Sequence, residues 1–287
     1  MATTSYDNDI RLGRYANILL DYWFKRTFGE ESSKRLLQLT LQEIIPERTI
    51  TNLTFAPQEH QTPIPGRKSI RVDVECTDET GARFVVEMQL EGQDGFYERA
   101  VFNSTFAVQE QMSRGQTDYL FPNVYFIGIL DFTMHPGSDR VRYCYRLRED
   151  ISKEVMTDRL QYIFLELPNC TKALTPEASV LDNFCYALHN MASLPDKPAG
   201  LESELFRLLF ESAEIAKFAP KDKQRYINDM TTAQDIKNQI AYARAQGEEK
   251  GMEKERLTIA RNLKAARFSI ESIVQATGLT TEQVEAL

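Results

Sequence analysis

Residues 72–89 read VDVECTDETGARFVVEMQ. Two alternating runs flank TDETGAR (77–83), which has the composition of a turn region. In RVDVEC (71–76), a period of two puts Val72, Val74 and Cys76 on one face and Arg71, Asp73 and Glu75 on the other. In FVVEMQL (84–90), Phe84, Val86, Met88 and Leu90 share one face, and Val85, Glu87 and Gln89 share the opposite one. The apolar faces are nearly complete, which leaves the polar faces for another use. A hairpin centred on Thr80 sets Asp73 opposite Glu87 and Arg71 opposite Gln89. Directly opposed Cβ atoms lie ~4.5–5.5 Å apart, and like charges there destabilise the pair unless a cation or a proton sits between them. A hard divalent metal with oxygen ligands meets that need. Two other readings stand beside it. An even-length loop without a bulge would put the two acids on different faces, and alternating charges also suit a solvent-exposed hairpin face.

Working outward, residues 12–28 show apolar residues at helical spacing, with Gly29 as C-cap. Ser32 or Ser33 can cap a second helix, KRLLQLTLQEII (34–45), which stops at Pro46. ITNLTFA (50–56) reads as a strand, QTPIPG (61–66) as a loop and SIRVDVEC (69–76) as a strand. After the turn and FVVEMQL, a helical pattern runs from Tyr97 to Arg114 and stops at Gly115. NVYFIGILDFT (123–133) reads as a buried strand, followed by strands RVRYCYRL (140–147) and LQYIFLEL (160–167). From Pro176 onward the signal is helical, and SLPDKPAG (193–200) is the linker candidate. The expected division is a domain over 1–195 and a helical C-terminal region over 196–287. That region holds ELFRLLFESAEIAKF (204–218), KQRYINDMTTAQDIKNQIAYARAQ (223–246) and an exposed helix over 244–264, weakened by Gly247 and Gly251. FSIESIVQATGLTTEQVEAL (268–287) reads as two short helices with Ser269 and Thr280 as caps and Gly278 between, at helix-turn-helix spacing. The second of these carries Glu282 and Glu285 and no Lys or Arg, which favours a protein partner over a phosphate backbone.

The chain has 287 residues, 42% hydrophobic and 26% charged, the make-up of soluble globular material in about two domains. Lys and Arg total 34 against 42 for Asp and Glu, a formal net charge of −8. That excludes a protein that coats nucleic acid by bulk positive charge, but not one with a local basic groove. No run of about 18 apolar residues occurs, so no membrane span is expected. The N-terminus lacks the pattern of a signal peptide. Cys76, Cys144, Cys170 and Cys185 form no CxxC pair and read as reduced core residues of a cytoplasmic protein. His60, His135 and His189 show no zinc spacing with them, and no GxSxG, GxGxxG or phosphate-loop motif occurs.

Asp73-x13-Glu87-Met88-Gln89 resembles the PD-(D/E)xK nuclease signature. DYWFKRTFG (21–29), VDVECTDETGARFVVEMQ (72–89), YERAVFNSTFAVQEQMSRGQTDYLFPNVYFIGILDF (97–132) and TGLTTEQV (277–284) are similar, in order, to the PD-(D/E)xK family transposases, also called recombination-promoting nucleases. The resemblance implies a mixed α/β, restriction-endonuclease-like core of helix, antiparallel strands, helix and strand. It implies that Asp73 and Glu87 bind Mg²⁺ (or Mn²⁺), with the backbone carbonyl of Met88 as a further ligand, and that the product is a hydrolysed DNA phosphodiester. Asp21 on the first helix is a further candidate ligand. Gln89 stands where the motif has Lys; an amide can orient a water but carries no charge. Lys25 and Arg71 are the candidate replacements. Lys25 also lies one turn after Asp21, so an i,i+4 ion pair is the other reading of those two. Arg99 and Gln109, on the helix after the ExQ strand, are candidate substrate contacts or supports. A surface ion pair is the other reading of Arg99, and a place on the helix surface is the other reading of Gln109. Phe96 and Tyr97 could stack on a base, but aromatic residues that begin an amphipathic helix are first expected in the core, as is Trp23. Cutting both strands of a duplex suggests a homodimer on DNA. The alternative is a nuclease fold without catalysis, serving as a binding or oligomerisation module.

Overall fold

The computed structural model describes residues 12–60, 69–112, 117–172, 174–175 and 177–287. The expected loop at 61–66, the helix stop at Arg114 and Gly115, and Pro176 lie outside the described residues. The described chain forms two compact units, one ending at Lys223 and one from Gln224 to Leu287.

The first unit opens with α1 (Asp21–Phe28) and α2 (Lys34–Ile44). The periodicity over 12–28 predicts a helix from its start, yet the helix begins only at Asp21. Residues 14–16 instead pair their backbone with 213–215: Ala16 N–H donates to the Ala213 carbonyl at 2.8 Å and Ile215 N–H to the Arg14 carbonyl at 3.0 Å. Those groups are thereby satisfied without a helix. Gly29 does follow α1 as its C-cap, and α2 ends short of Pro46.

Then come β1 (Leu53–Phe55), β2 (Glu59–His60), β3 (Ile70–Arg71), β4 (Val74–Asp78) and β5 (Arg83–Gln89). α3 (Phe96–Gln109) leads to β6 (Val124–Leu130), β7 (Arg142–Arg148) and β8 (Val155–Glu166). α4 (Val180–Asn190) and α5 (Glu204–Ala213) complete the unit, apart from the start of α6 (Pro220–Ala265). The expected boundary at 195/196 falls inside this unit, because α5 buries Leu205, Phe206, Leu209 and Phe210 in the same core as α1 and α2.

Six strands form one sheet in the order β1-β4-β5-β6-β8-β7. β5, β6 and β8 run parallel, while β1, β4 and β7 add antiparallel partners. The expected strand over 69–76 is broken. Ile70 and Arg71 pair with β2 as a separate ribbon, and the chain bends at Asp73 before β4 begins. The bend also changes sides: Val72 packs with Val85, Phe126 and α3, whereas Val74 and Cys76 pack with Phe24, Phe28 and the helices of the other face. One sheet face is thus covered by α1, α2, α4 and α5, and the other by α3 with the β2–β3 ribbon. All four cysteines are free thiols.

In the second unit, most of α6 is exposed. Gly247 and Gly251 do not interrupt it. Ala260 joins Ile273 of α7 (Ile270–Thr277), Val284 of α8 (Thr281–Glu285) and Leu279 of the turn between them in a small core. Ser269 and Thr280 cap these helices as their spacing predicts, with Gly278 left-handed at φ 71°. No helix among the described residues is long and apolar enough to cross a membrane.

Candidate metal centre

The β4–β5 ladder has the register centred on Thr80: Val74 faces Val86, Glu75 faces Val85, Cys76 faces Phe84 and Thr77 faces Arg83. Asp73 sits one residue before this ladder, at the bend. Its Oδ2 accepts a hydrogen bond from the backbone amide of Met88 at 2.8 Å, which holds the carboxylate against the peptide that follows Glu87. Its Oδ1 lies 3.2 Å from Lys25 Nζ. Lys25 in turn donates to Asp21 Oδ1 at 2.5 Å. The i,i+4 pair and the reach into the strand edge are therefore both present. Burial works against the charge of Lys25, but Asp21 and Asp73 outweigh burial and hold its pKa above the ordinary lysine value.

Glu87 is 6% exposed and turns toward α3. Its Oε1 accepts from Asn103 Nδ2 at 3.3 Å. Arg99 and Lys25 act on it only through space. Burial, and then the negative charge of Asp73, push the Glu87 carboxyl up to about 7. Burial likewise raises Asp73, against the pull of the Met88 amide and Lys25. The half-buried Asp73 and the buried Glu87, the first raising the pKa of the second, form a pair of hard oxygen donors that suits a divalent cation.

Gln89 ends β5, half-buried, and its backbone carbonyl accepts from Asp131 N–H at 2.9 Å. Across from it lies Leu130 of β6, not Arg71. The expected pairing of Arg71 with Gln89 does not form. Arg71 belongs to β3, its side chain is 73% exposed, and its guanidinium lies 3.5 Å from Glu59 of β2. The bend at Asp73 ended the register that would have carried it to Gln89. Gln109 lies on the helix surface, away from the carboxylates. It is the last, exposed residue of α3, six residues beyond Asn103 and about 240° around the helix from it. Arg99 does lie near the carboxylates. Its partner is Gln93 Oε1 at 2.9 Å rather than an acid, and its Nη2 is buried with no hydrogen-bond partner.

Trp23 and Phe96 are core residues as expected. Tyr97 is not. It is 40% exposed, and its hydroxyl meets that of Tyr145 at 3.2 Å. Tyr145 reaches His135 Nε2 at 3.1 Å, and His135 Nδ1 meets the buried Glu166 at 2.5 Å. Nothing in the sequence pattern foretold this chain or the role of Asn103. Asn103 reads as an ordinary helix residue until β5 and α3 are packed together.

A further cluster escaped the sequence reading because its members lie far apart in the chain. His60 Nε2 meets Glu75 Oε2 at 2.5 Å, and Nδ1 meets Glu110 Oε1 at 2.5 Å. These donor atoms lie within 4.8 Å of one another, a spacing able to hold a metal. Arg83 Nη1 already stands there, 3.1 Å from Glu75 Oε1 and 2.6 Å from Glu110 Oε2. Burial lowers the His60 pKa, but Glu110 and Glu75 together raise it. When His60 is protonated, its charge and that of Arg83 balance the two carboxylates. Glu75, expected on a polar face with Asp73, is instead consumed in this network.

A family model described as PD-(D/E)XK nuclease family transposase matches residues 18–243 of the chain. No curated protein and no solved structure matches it.

Proposed function

We propose, from the premise that the chain belongs to the PD-(D/E)XK nuclease family transposases, that it is a divalent-metal-dependent endonuclease hydrolysing DNA phosphodiester bonds during DNA mobility or recombination. The observation that carries this reading is the mutual arrangement of Asp73 and Glu87. One carboxylate is fixed by the Met88 amide, and the other is buried and raised to about 7 beside it.

Asp73, Glu87 and the Met88 carbonyl would hold Mg²⁺ or Mn²⁺. When bound, such an ion supplies a water of lowered pKa and stabilises charge on the phosphoryl oxygens. The chain's own residues do the remaining work. Asn103 orients Glu87 through its amide. Lys25 brings an ammonium to Asp73 from α1, a positive charge that position 89 lacks. Gln89 can orient a water by its amide. Asp21 serves by holding Lys25 rather than as a ligand. A groove at the C-terminal ends of parallel strands β5 and β6 is a common place for ligands in α/β sheets.

Purified protein incubated with supercoiled plasmid tests the reading. Nicking that requires Mg²⁺ or Mn²⁺ and disappears in both Asp73→Ala and Glu87→Ala is the expected result. Nicking that is equal in the wild type and Asp73→Ala would mark it as contamination. A lack of metal binding by calorimetry would leave a fold used for binding alone.

A further inference from the structure

A pocket of about 480 Å³ opens along the start of α3, lined in part by Arg99, whose charge acts on Glu87 through space. One wall is the loop Gln93–Gly95, and the other is the first two turns of α3, with Phe96, Arg99 and Phe102. At 100° per residue, Phe102, Arg99 and Asn103 fall within about 100° of the α3 surface. Asn103 touches Glu87, so the pocket borders the proposed metal centre on the same flank of the helix.

The lining has a definite chemistry. Phe102 is 39% exposed, leaving apolar ring surface in the pocket wall. The Arg99 guanidinium lies 5.4 Å from the Phe96 ring centroid and is tied by Nη1 to Gln93, while Nη2 has no partner. Asp94 and Glu98 put two carboxylates around the opening. Those carboxylates oppose a phosphate. They favour a neutral planar ring whose amino groups can donate to them while Arg99 donates to its carbonyl or ring nitrogen. The volume lies within the range of small-ligand sites.

We propose that this pocket takes one unpaired nucleobase next to the phosphate to be cut, so that the substrate is single-stranded or locally unpaired DNA. The inference rests on the nuclease reading above and deepens it. A base inside a duplex is stacked and out of reach, and extruding it costs least where pairing is already absent. Arg99 is then a base contact rather than the phosphate contact its position on the helix suggests.

The test is fluorescence anisotropy of the full chain, in Ca²⁺, with a labelled single strand and a series in which one nucleotide at a time is made abasic. Plasmid nicking in Mg²⁺ by wild type and Asp73→Ala is scored in parallel. At one position, loss of the base is expected to weaken wild-type binding by about tenfold, the scale of one base–aromatic stack. In Phe102→Ala that difference falls below about twofold, and Phe102→Tyr restores it. Asp73-dependent nicking together with equal affinity across the abasic series overturns the pocket and spares the nuclease. The same holds if the positional effect persists unchanged in Phe102→Ala. Absence of Asp73-dependent nicking overturns the nuclease reading itself.

Discussion

Lys25 Nζ lies 3.2 Å from Asp73 Oδ1, so an ammonium reaches the carboxylate pair from α1 rather than from the β5 position that Gln89 occupies. An amine there has two opposite effects. It competes with a metal for Asp73, and it offers positive charge to a phosphoryl group. Lys25→Met separates them. Mg²⁺ affinity by calorimetry is expected to hold or rise, while plasmid cleavage falls by about 100-fold, the scale of losing one preorganised charge stabiliser. Cleavage at the wild-type rate would remove Lys25 from the mechanism.

The raised carboxyl of Glu87 makes both metal binding and stability depend on pH. Its folded value of about 7 exceeds the ordinary glutamate value of about 4.3, so between these values the folded chain binds the proton and the unfolded chain does not. Stability in the absence of metal therefore falls as pH rises through that window, by up to about 4 kcal/mol. Mg²⁺ binding must displace the proton, so affinity rises over the same window and levels off above it. Thermal melts in EDTA from pH 5 to pH 8 should show the decline in wild type and lose this part of it in Glu87→Gln. A pH profile identical in the two proteins would contradict the assignment.

The β4–β5 register was legible because a period of two and a turn with Gly81 constrain it locally. The Ser269 and Thr280 caps were legible for the same kind of reason. What escaped depends on tertiary contacts. The bend at Asp73 breaks an unbroken strand pattern, and it decides that Arg71 leaves the site while Asp73 stays. Residues 14–16, inside a helical pattern, find backbone partners at 213–215, which no local signal reveals. Asn103 and the His60 cluster join residues brought together only by sheet and helix packing.

Gly128 lies across from Glu87 in the β5–β6 register and beneath α3. A Cβ at this position would meet Phe164 Cδ1 at 2.8 Å and Phe96 Cζ at 3.2 Å. Both rings are buried and in contact with each other, so neither can yield freely. Gly128→Ala is expected to cost about 1–3 kcal/mol in urea unfolding. By lifting α3 it also loosens the Asn103 bond to Glu87, so metal affinity falls with stability. Unchanged unfolding would show that α3 sits less tightly on β6 than these contacts require.

His60 belongs to the cluster with Glu75 and Glu110 and makes no hydrogen bond to the Asp73–Glu87 pair among the described residues. The groups that face it are Glu75, which is 1% exposed, Glu110 and Arg83. Removing His60 leaves Glu75 buried with Arg83 as its one remaining charge partner in that network, a loss on the order of 3–5 kcal/mol. Because the folded pKa of His60 is raised, its contribution is full below the ordinary value of about 6.5 and is lost as pH rises through the folded value. The stability gap between wild type and His60→Leu in urea melts should therefore be widest near pH 6 and shrink toward pH 9. A gap that does not change with pH would mean that a neutral imidazole suffices. Mn²⁺ calorimetry completes the comparison. His60→Leu should keep the wild-type stoichiometry, whereas Asp73→Ala should abolish binding. The reverse pattern would move the metal from the Asp73–Glu87 pair to the His60 cluster.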